Sequence, residues 1–120
     1  MNMMNSTQPI DLQRMLASAQ NACQLLKTLS NTDRLMLVCQ LSQGEKCVGE
    51  LEALLGIGQP TLSQQLGVLR DQQMVSTRRE GKNIYYRIAN PKALALIEVL
   101  YTEYCQHNAV SPCSLKGKKP

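Results

Sequence analysis

Five cysteines, Cys23, Cys39, Cys47, Cys105 and Cys113, supply the nucleophilic and soft-ligand chemistry of this 120-residue chain. A catalytic thiol needs a base within hydrogen-bond reach. The single histidine, His107, stands two residues from Cys105 on what reads as one helix, a spacing at which side chains do not face each other. The pattern therefore excludes a thiol enzyme. Cys39 closes an apolar helical run, Leu35-Met36-Leu37-Val38-Cys39, and Cys105 follows Tyr101 and Tyr104 near the end of the last predicted helix. Each of these cysteines also suits plain packing, since a thiol is a small apolar side chain.

A second kind of chemistry lies between Cys47 and Arg70. Val48 to Leu55 reads as a short helix with Leu51, Leu54 and Leu55 at the spacing of a buried stripe. Gly56, Ile57 and Gly58 then make a corner, where glycine admits positive φ and Ile57 can fill the gap between helices. A second helix starts with Pro60 in its first turn, where the missing N–H costs nothing. Leu62, Leu66 and Leu69 face inward. The opposite face presents Thr61, Gln64 and Gly67, flanked by Gln59, Ser63 and Gln65. Short amides and hydroxyls both donate and accept, which suits base edges in a major groove. The best-placed readers are Gln59, Thr61, Ser63 and Gln64.

Downstream, Val75 to Arg79 and Asn83 to Ile88 alternate in the strand period around Glu80, Gly81 and Lys82, the pattern of a β-hairpin. Its tip collects Arg78, Arg79 and Lys82, cations able to hold phosphates or enter a minor groove. The same charges also suit a solvated hairpin tip. Directly after a two-helix corner, such a hairpin reads as a wing.

The remaining elements position these two sites. Residues 1–10 form a polar, disordered arm. Leu12, Met15 or Leu16, Ala19, Ala22 or Cys23, Leu26 and Leu29 define a first amphipathic helix over 11–29, and Ser30 with Asp33 resembles a capping box opening a second helix over 31–43. Asn90 as N-cap and Pro91 at the first helical position open a last helix to about Gln106. The folded domain is expected over 11–107, with 108–120 a flexible tail. The fold class is mainly α with a β-hairpin wing, a winged helix-turn-helix in the order α-α-α-α-β-β-α. Broad apolar stripes on the first and last helices suggest a homodimer.

Composition bounds the setting. The net charge of +4 fits a nucleic-acid partner. No run of eighteen apolar residues exists, and the N-terminus lacks the basic and apolar regions of a signal peptide, so the expectation is a cytoplasmic protein with no membrane partner. Its cysteines then rest as thiols.

Lys27-Thr-Leu-Ser30, Arg34-Leu35, Val48-Gly-Glu-Leu51, Thr61-Leu-Ser-Gln-Gln-Leu66, Leu69-Arg70 and Tyr85-Tyr86-Arg87 together resemble the ArsR/SmtB family of winged-helix repressors over roughly residues 12 to 105. The resemblance implies a homodimeric repressor that binds a near-palindromic double-stranded operator and releases it on a chemical signal. The family's arsenic and cadmium sensors carry Cys-Val-Cys where this chain has Cys47-Val48-Gly49, and its zinc sensors use carboxylate and His ligands along the last helix, where this chain offers Glu98, Glu103 and His107. Neither set survives intact, so no metal site and no cofactor is expected. The local patterns at 35–39 and 101–105 are similar to the biofilm-growth-associated, sulfide-responsive branch of the family. By that resemblance Cys39 and Cys105 form a redox-sensing dithiol whose inducer is a reactive sulfur species or an oxidant. A metal- or metalloid-responsive repressor and a constitutive DNA-binding regulator with inert cysteines stand as alternatives.

Cysteines on two different helices couple those helices only when bridged. An ordinary disulfide needs Cα atoms within ~7 Å, and extra sulfur atoms lengthen the bridge. A pair held slightly too far apart would favour a tri- or tetrasulfide.

Overall fold

The computed structural model describes residues 9–106. The expected arm is described only at its last two residues, and the tail, His107 and Cys113 lie outside the described residues.

Helix α1, Leu12–Leu29, starts at Asp11, whose carboxylate accepts from the N–H groups of Gln13 and Arg14 at 3.0 and 3.3 Å. Helix α2, Thr32–Leu41, is capped by Asn31, whose Oδ1 accepts from the Arg34 N–H at 3.0 Å. The expected Ser30 cap is displaced by one position. Because α1 runs to Leu29, Ser30 serves that helix instead: both its N–H and its Oγ donate to the Lys27 carbonyl. Asn is as good an N-cap as Ser, so the choice fell to the residue left free.

Strand β1, Lys46–Cys47, leads into α3, Val48–Leu55, which ends on Gly56 in the left-handed region at φ 68. Helix α4, Thr61–Asp71, follows, with Pro60 at its N-cap rather than inside its first turn. Strands β2, Val75–Glu80, and β3, Asn83–Ile88, form the hairpin. Glu80 pairs with Asn83, so the turn is only Gly81-Lys82, and Gly81 takes φ 64 there. Helix α5, Pro91–Tyr101, opens on Asn90, whose side chain accepts from the Lys92 N–H at 2.9 Å, and continues as a π turn over Thr102–Gln106. The sheet order is β1-β3-β2, all antiparallel. This is the winged helix-turn-helix expected, with β1 and the π turn added.

The core gathers on α2. Leu37, Val38 and Leu41 are buried against Leu51 of α3, Leu62, Leu66 and Leu69 of α4, Val75 of β2, and Ala93 and Ile97 of α5. Helix α2 touches α1, α3, α4, α5 and β3, more elements than a peripheral helix could reach. Leu54, expected inside, is 56% exposed, because α3 turns Leu51 and parts of Val48 and Leu55 to the core. Helix α1 buries only Thr28 and Leu29, while Leu12 and Leu16 are more than two-thirds exposed. Its apolar stripe exists, yet among the described residues only its C-terminal part, with Leu25 and Leu29, packs on the core, and Leu12, Met15, Leu16 and Leu26 stay exposed.

Candidate functional site: a reading face, a wing and a thiol cleft

Helix α4 shows how one sequence serves two surfaces. Leu62, Leu66 and Leu69 are buried, which forces Thr61, Ser63 and Gln64 outward, and Gln59 lies exposed just before the helix. The Ser63 hydroxyl donates to Gln59 Oε1 at 2.5 Å, tying the two readers into one polar unit. Gln65 is held back from this face. Its Oε1 accepts from Arg34 Nη1 at 2.8 Å, while Arg34 Nε donates to the Thr28 carbonyl at 2.6 Å. Arg34 of α2 therefore fastens the end of α1 to the reading helix. Sequence reading did not find this strut, because its three partners are scattered along the chain and leave no periodic signal.

On the wing, Arg79 and Lys82 are exposed and have no ion-pair partner among the described residues. Arg78 differs. Its guanidinium lies 2.8 Å from Glu45 and 2.7 Å from Glu80, and its Cζ sits 4.8 Å from the ring centre of Tyr85, the residue opposite it in the hairpin register. Glu45 was not singled out in the sequence. The Arg78 hydrogen bonds hold its carboxyl below the usual range.

A cleft of about 600 Å³ opens between α2 and the end of α5, lined by Met36, Cys39, Ile97, Tyr101, Cys105 and neighbouring polar side chains. It brings the two predicted thiols to one place. Both are free; Cys39 is half-buried and Cys105 exposed. Burial pushes the Cys39 pKa up, and negative charge on Cys105 raises it further. Partial burial thus disfavours the Cys39 thiolate. Cys105 lies in the π turn that continues α5, and Tyr101, Thr102, Cys105 and Gln106 line the cleft on that side.

Of the described cysteines, Cys23 and Cys47 stand apart from that cleft. Cys47 occupies the N-cap of α3, with its N–H donating to Glu50 Oε1 at 2.9 Å, and Cys23 is exposed on α1. Among the described residues no three His, Cys, Asp or Glu side chains converge as metal ligands would. No helix among them is long and apolar enough to cross a membrane.

A helical core centred on α2, with a polar reading helix and a charged wing, defines a winged helix-turn-helix DNA-binding regulator. The model of the bacterial regulatory protein arsR family matches residues 31–77, from the cap of α2 into β2. The chain is 58% identical over 96 residues to the biofilm growth-associated repressor of Agrobacterium fabrum, covering 80% of this chain and 82% of that one. Among solved structures it is similar to the transcriptional repressor BigR from Xylella fastidiosa, with TM-score 0.77 and 54% identity over 80% of this chain and 98% of that one. It is also similar to the antimony-specific transcriptional repressor AntR, with TM-score 0.78 and 32% identity over 91% of this chain and 98% of that one. The chain belongs to the arsR family and is a regulator of transcription, not an enzyme.

Proposed function

We propose that this protein is a homodimeric repressor that binds a near-palindromic operator and releases it when reactive sulfur species bridge Cys39 to Cys105. The observation that carries the reading is the shared cleft, which holds one free thiol from the central helix α2 and one from the end of α5. Bridging couples the core helix that carries the reading helix to the last described element, the π turn after α5.

The hydropersulfide donor is itself the two-electron oxidant, its sulfane sulfur leaving as hydrogen sulfide. The Cys105 thiolate attacks the sulfane sulfur of a hydropersulfide donor, the donor departs as its thiol, and Cys105 becomes a persulfide. Attack by the Cys39 thiolate on Sγ of Cys105 then expels hydrogen sulfide and closes a disulfide. If Cys39 is first persulfidated as well, its terminal sulfur attacks Sγ of Cys105, expels hydrogen sulfide and leaves a trisulfide. Cys105 reacts first because it is exposed, whereas Cys39 is half-buried with its thiolate disfavoured.

For DNA, Gln59, Thr61, Ser63 and Gln64 read bases while Arg79 and Lys82 hold phosphates. Gln64→Ala is expected to cost about 1–3 kcal/mol on a preferred duplex and to relax its sequence preference. Lys82→Ala should weaken all duplexes and flatten the salt dependence by about one unit per protomer. Fluorescence anisotropy with a duplex enriched from random DNA by the reduced protein measures both. Equal losses on enriched and random DNA for Gln64→Ala would remove that residue from base reading.

The uncovered stripe of α1, with Leu12, Met15, Leu16 and Leu26 exposed, and the exposed Val99 and Tyr101 of α5 supply the pairing surface. Exposed apolar area of this kind is what association buries. Sedimentation is expected to show dimers in reduced and bridged protein alike. Monomers after persulfide treatment would mean that release works by dissociation instead.

A metalloid-responsive reading draws on the likeness to the antimony-specific repressor. Soft metalloids call for convergent thiolates, and the cleft offers two. Titration of the reduced protein with antimonite tests it: stoichiometric binding that releases the enriched duplex would favour that reading over sulfur.

A further inference from the structure

We propose that Arg78 is a positioning residue rather than a phosphate contact, and that the Glu45–Arg78–Glu80 cluster fastens the wing to the end of α2. Each of the three guanidinium nitrogens is engaged by a carboxylate of the protein. Nε donates to Oε1 and Oε2 of Glu45 at 3.0 and 2.8 Å, Nη2 lies 2.8 Å from Glu45 Oε1, and Nη1 donates to Glu80 Oε1 at 2.7 Å. One face of the same group stacks on Tyr85 across the hairpin. An isolated exposed ion pair fixes little, but a forked, doubly engaged and stacked arginine defines an orientation. Two carboxylates also offset the positive charge of Arg78 where a phosphate would have to approach it.

The fastening point has a particular place in the chain. Glu45 follows α2 by four residues, and between them Ser42 returns its hydroxyl to the Cys39 carbonyl at 2.6 Å and its N–H to the Val38 and Cys39 carbonyls. Ser42 lines the thiol cleft on one side and, on the other, the hollow walled by Glu45, Arg78 and Arg87. Helix α2 thus holds both DNA-facing elements: the reading helix through Arg34 and Gln65 near its start, and the wing through Glu45 and Arg78 just past its end. A displacement of Cys39 has a short, continuous path to the wing. This second part rests on the proposed sulfur response, whereas the positioning role of Arg78 does not.

Salt titration of duplex binding by the reduced full-length chain separates positioning from phosphate contact. Arg78→Ala is expected to weaken binding several-fold while leaving the salt slope at the wild-type value, in contrast to Lys82→Ala, which lowers it by about one per protomer. Arg78→Lys keeps the charge but cannot fork or stack, so it is expected to behave like Arg78→Ala. A slope reduced as much as by Lys82→Ala, or full rescue by Arg78→Lys, would overturn the assignment and make Arg78 a phosphate contact. For the link, Glu45→Gln is expected to reduce the loss of affinity on persulfide treatment at least three-fold relative to wild type. Wild-type-like release by Glu45→Gln would overturn the link. A wild-type protein that does not respond to persulfide at all would refute the sulfur reading and with it the link, leaving the salt titration to decide the role of Arg78.

Discussion

Leu66→Ala is expected to destabilise the domain by roughly 2–5 kcal/mol, the range for removing a fully buried leucine from a core that closes only partly around the loss. Leu66 is 1% exposed and stands in the middle of α4, between the two other leucines that seat the reading helix. A domain of this size has only about 5–15 kcal/mol to spare, so the loss is a large fraction of the whole. Each kcal/mol moves the midpoint by roughly 4–8 °C in small domains. Thermal melts followed by circular dichroism, at one protein concentration because association also stabilises, read the effect. Gln64→Ala, two positions away on the exposed face, is the control and should melt with the wild type. If Leu66→Ala melted with the wild type too, α4 would not be docked as described. The pair separates the two jobs of one helix, its inner face setting stability and its outer face setting sequence preference.

The second large effect concerns the thiols. Reduced Cys39→Ser and Cys105→Ser proteins are expected to bind the enriched duplex as the wild type does and to keep it after persulfide treatment, while Cys23→Ser and Cys47→Ser release it. Turning a mostly binding population into a mostly non-binding one requires a bias of roughly 5 kcal/mol between the two arrangements, a factor of about 10⁴. A covalent bridge between α2 and the end of α5 can impose that bias, and neither serine variant can form it. The reduced proteins should be nearly indistinguishable, since both positions are at least partly open to solvent and serine is only slightly smaller than cysteine. Cys39 in the Cys105→Ser protein should also react more slowly than Cys105 in the Cys39→Ser protein, because burial, the larger cause of its raised pKa, persists when the Cys105 charge is removed. Raising the pH through that elevated pKa should speed its alkylation, as more thiolate forms. Persulfide-driven release by either variant would separate release from this bridge.

Much of the fold was readable because it is written in local periods. The leucines of α4, the alternation of β3 and the Asn90-Pro91 start of α5 each state an element within a few residues. What could not be read depends on partners distant in sequence. Strand β1 is two residues long, too short to alternate, and exists because Lys46 and Cys47 pair with Tyr86 and Tyr85. Arg34, Gln65 and Thr28 meet only after three helices have packed, and Glu45 reaches Arg78 across 33 residues. Arg78 therefore looked like one more cation at a hairpin tip. The stripe of α1 was legible as apolar but not as uncovered, since burial depends on what else the fold supplies. For the thiols, helical spacing placed Cys39 and Cys105 on two helices and was silent about whether they meet; the family resemblance joined them, and the cleft contains both.

The central claim is that one bridge, between Cys39 and Cys105, turns DNA binding off. It is tested most directly by splitting a single persulfide-treated sample, one half for duplex anisotropy and the other for alkylation, proteolysis and peptide mass. The expected result is that release rises in step with a cross-linked pair of peptides carrying Cys39 and Cys105, lighter than the two thiol peptides by two hydrogens, with whole sulfur atoms added where the bridge is a polysulfide, and that reductant reverses both together. Duplex released while Cys39 and Cys105 are still alkylated as free thiols, or a bridge mapped to any other pair, would contradict it.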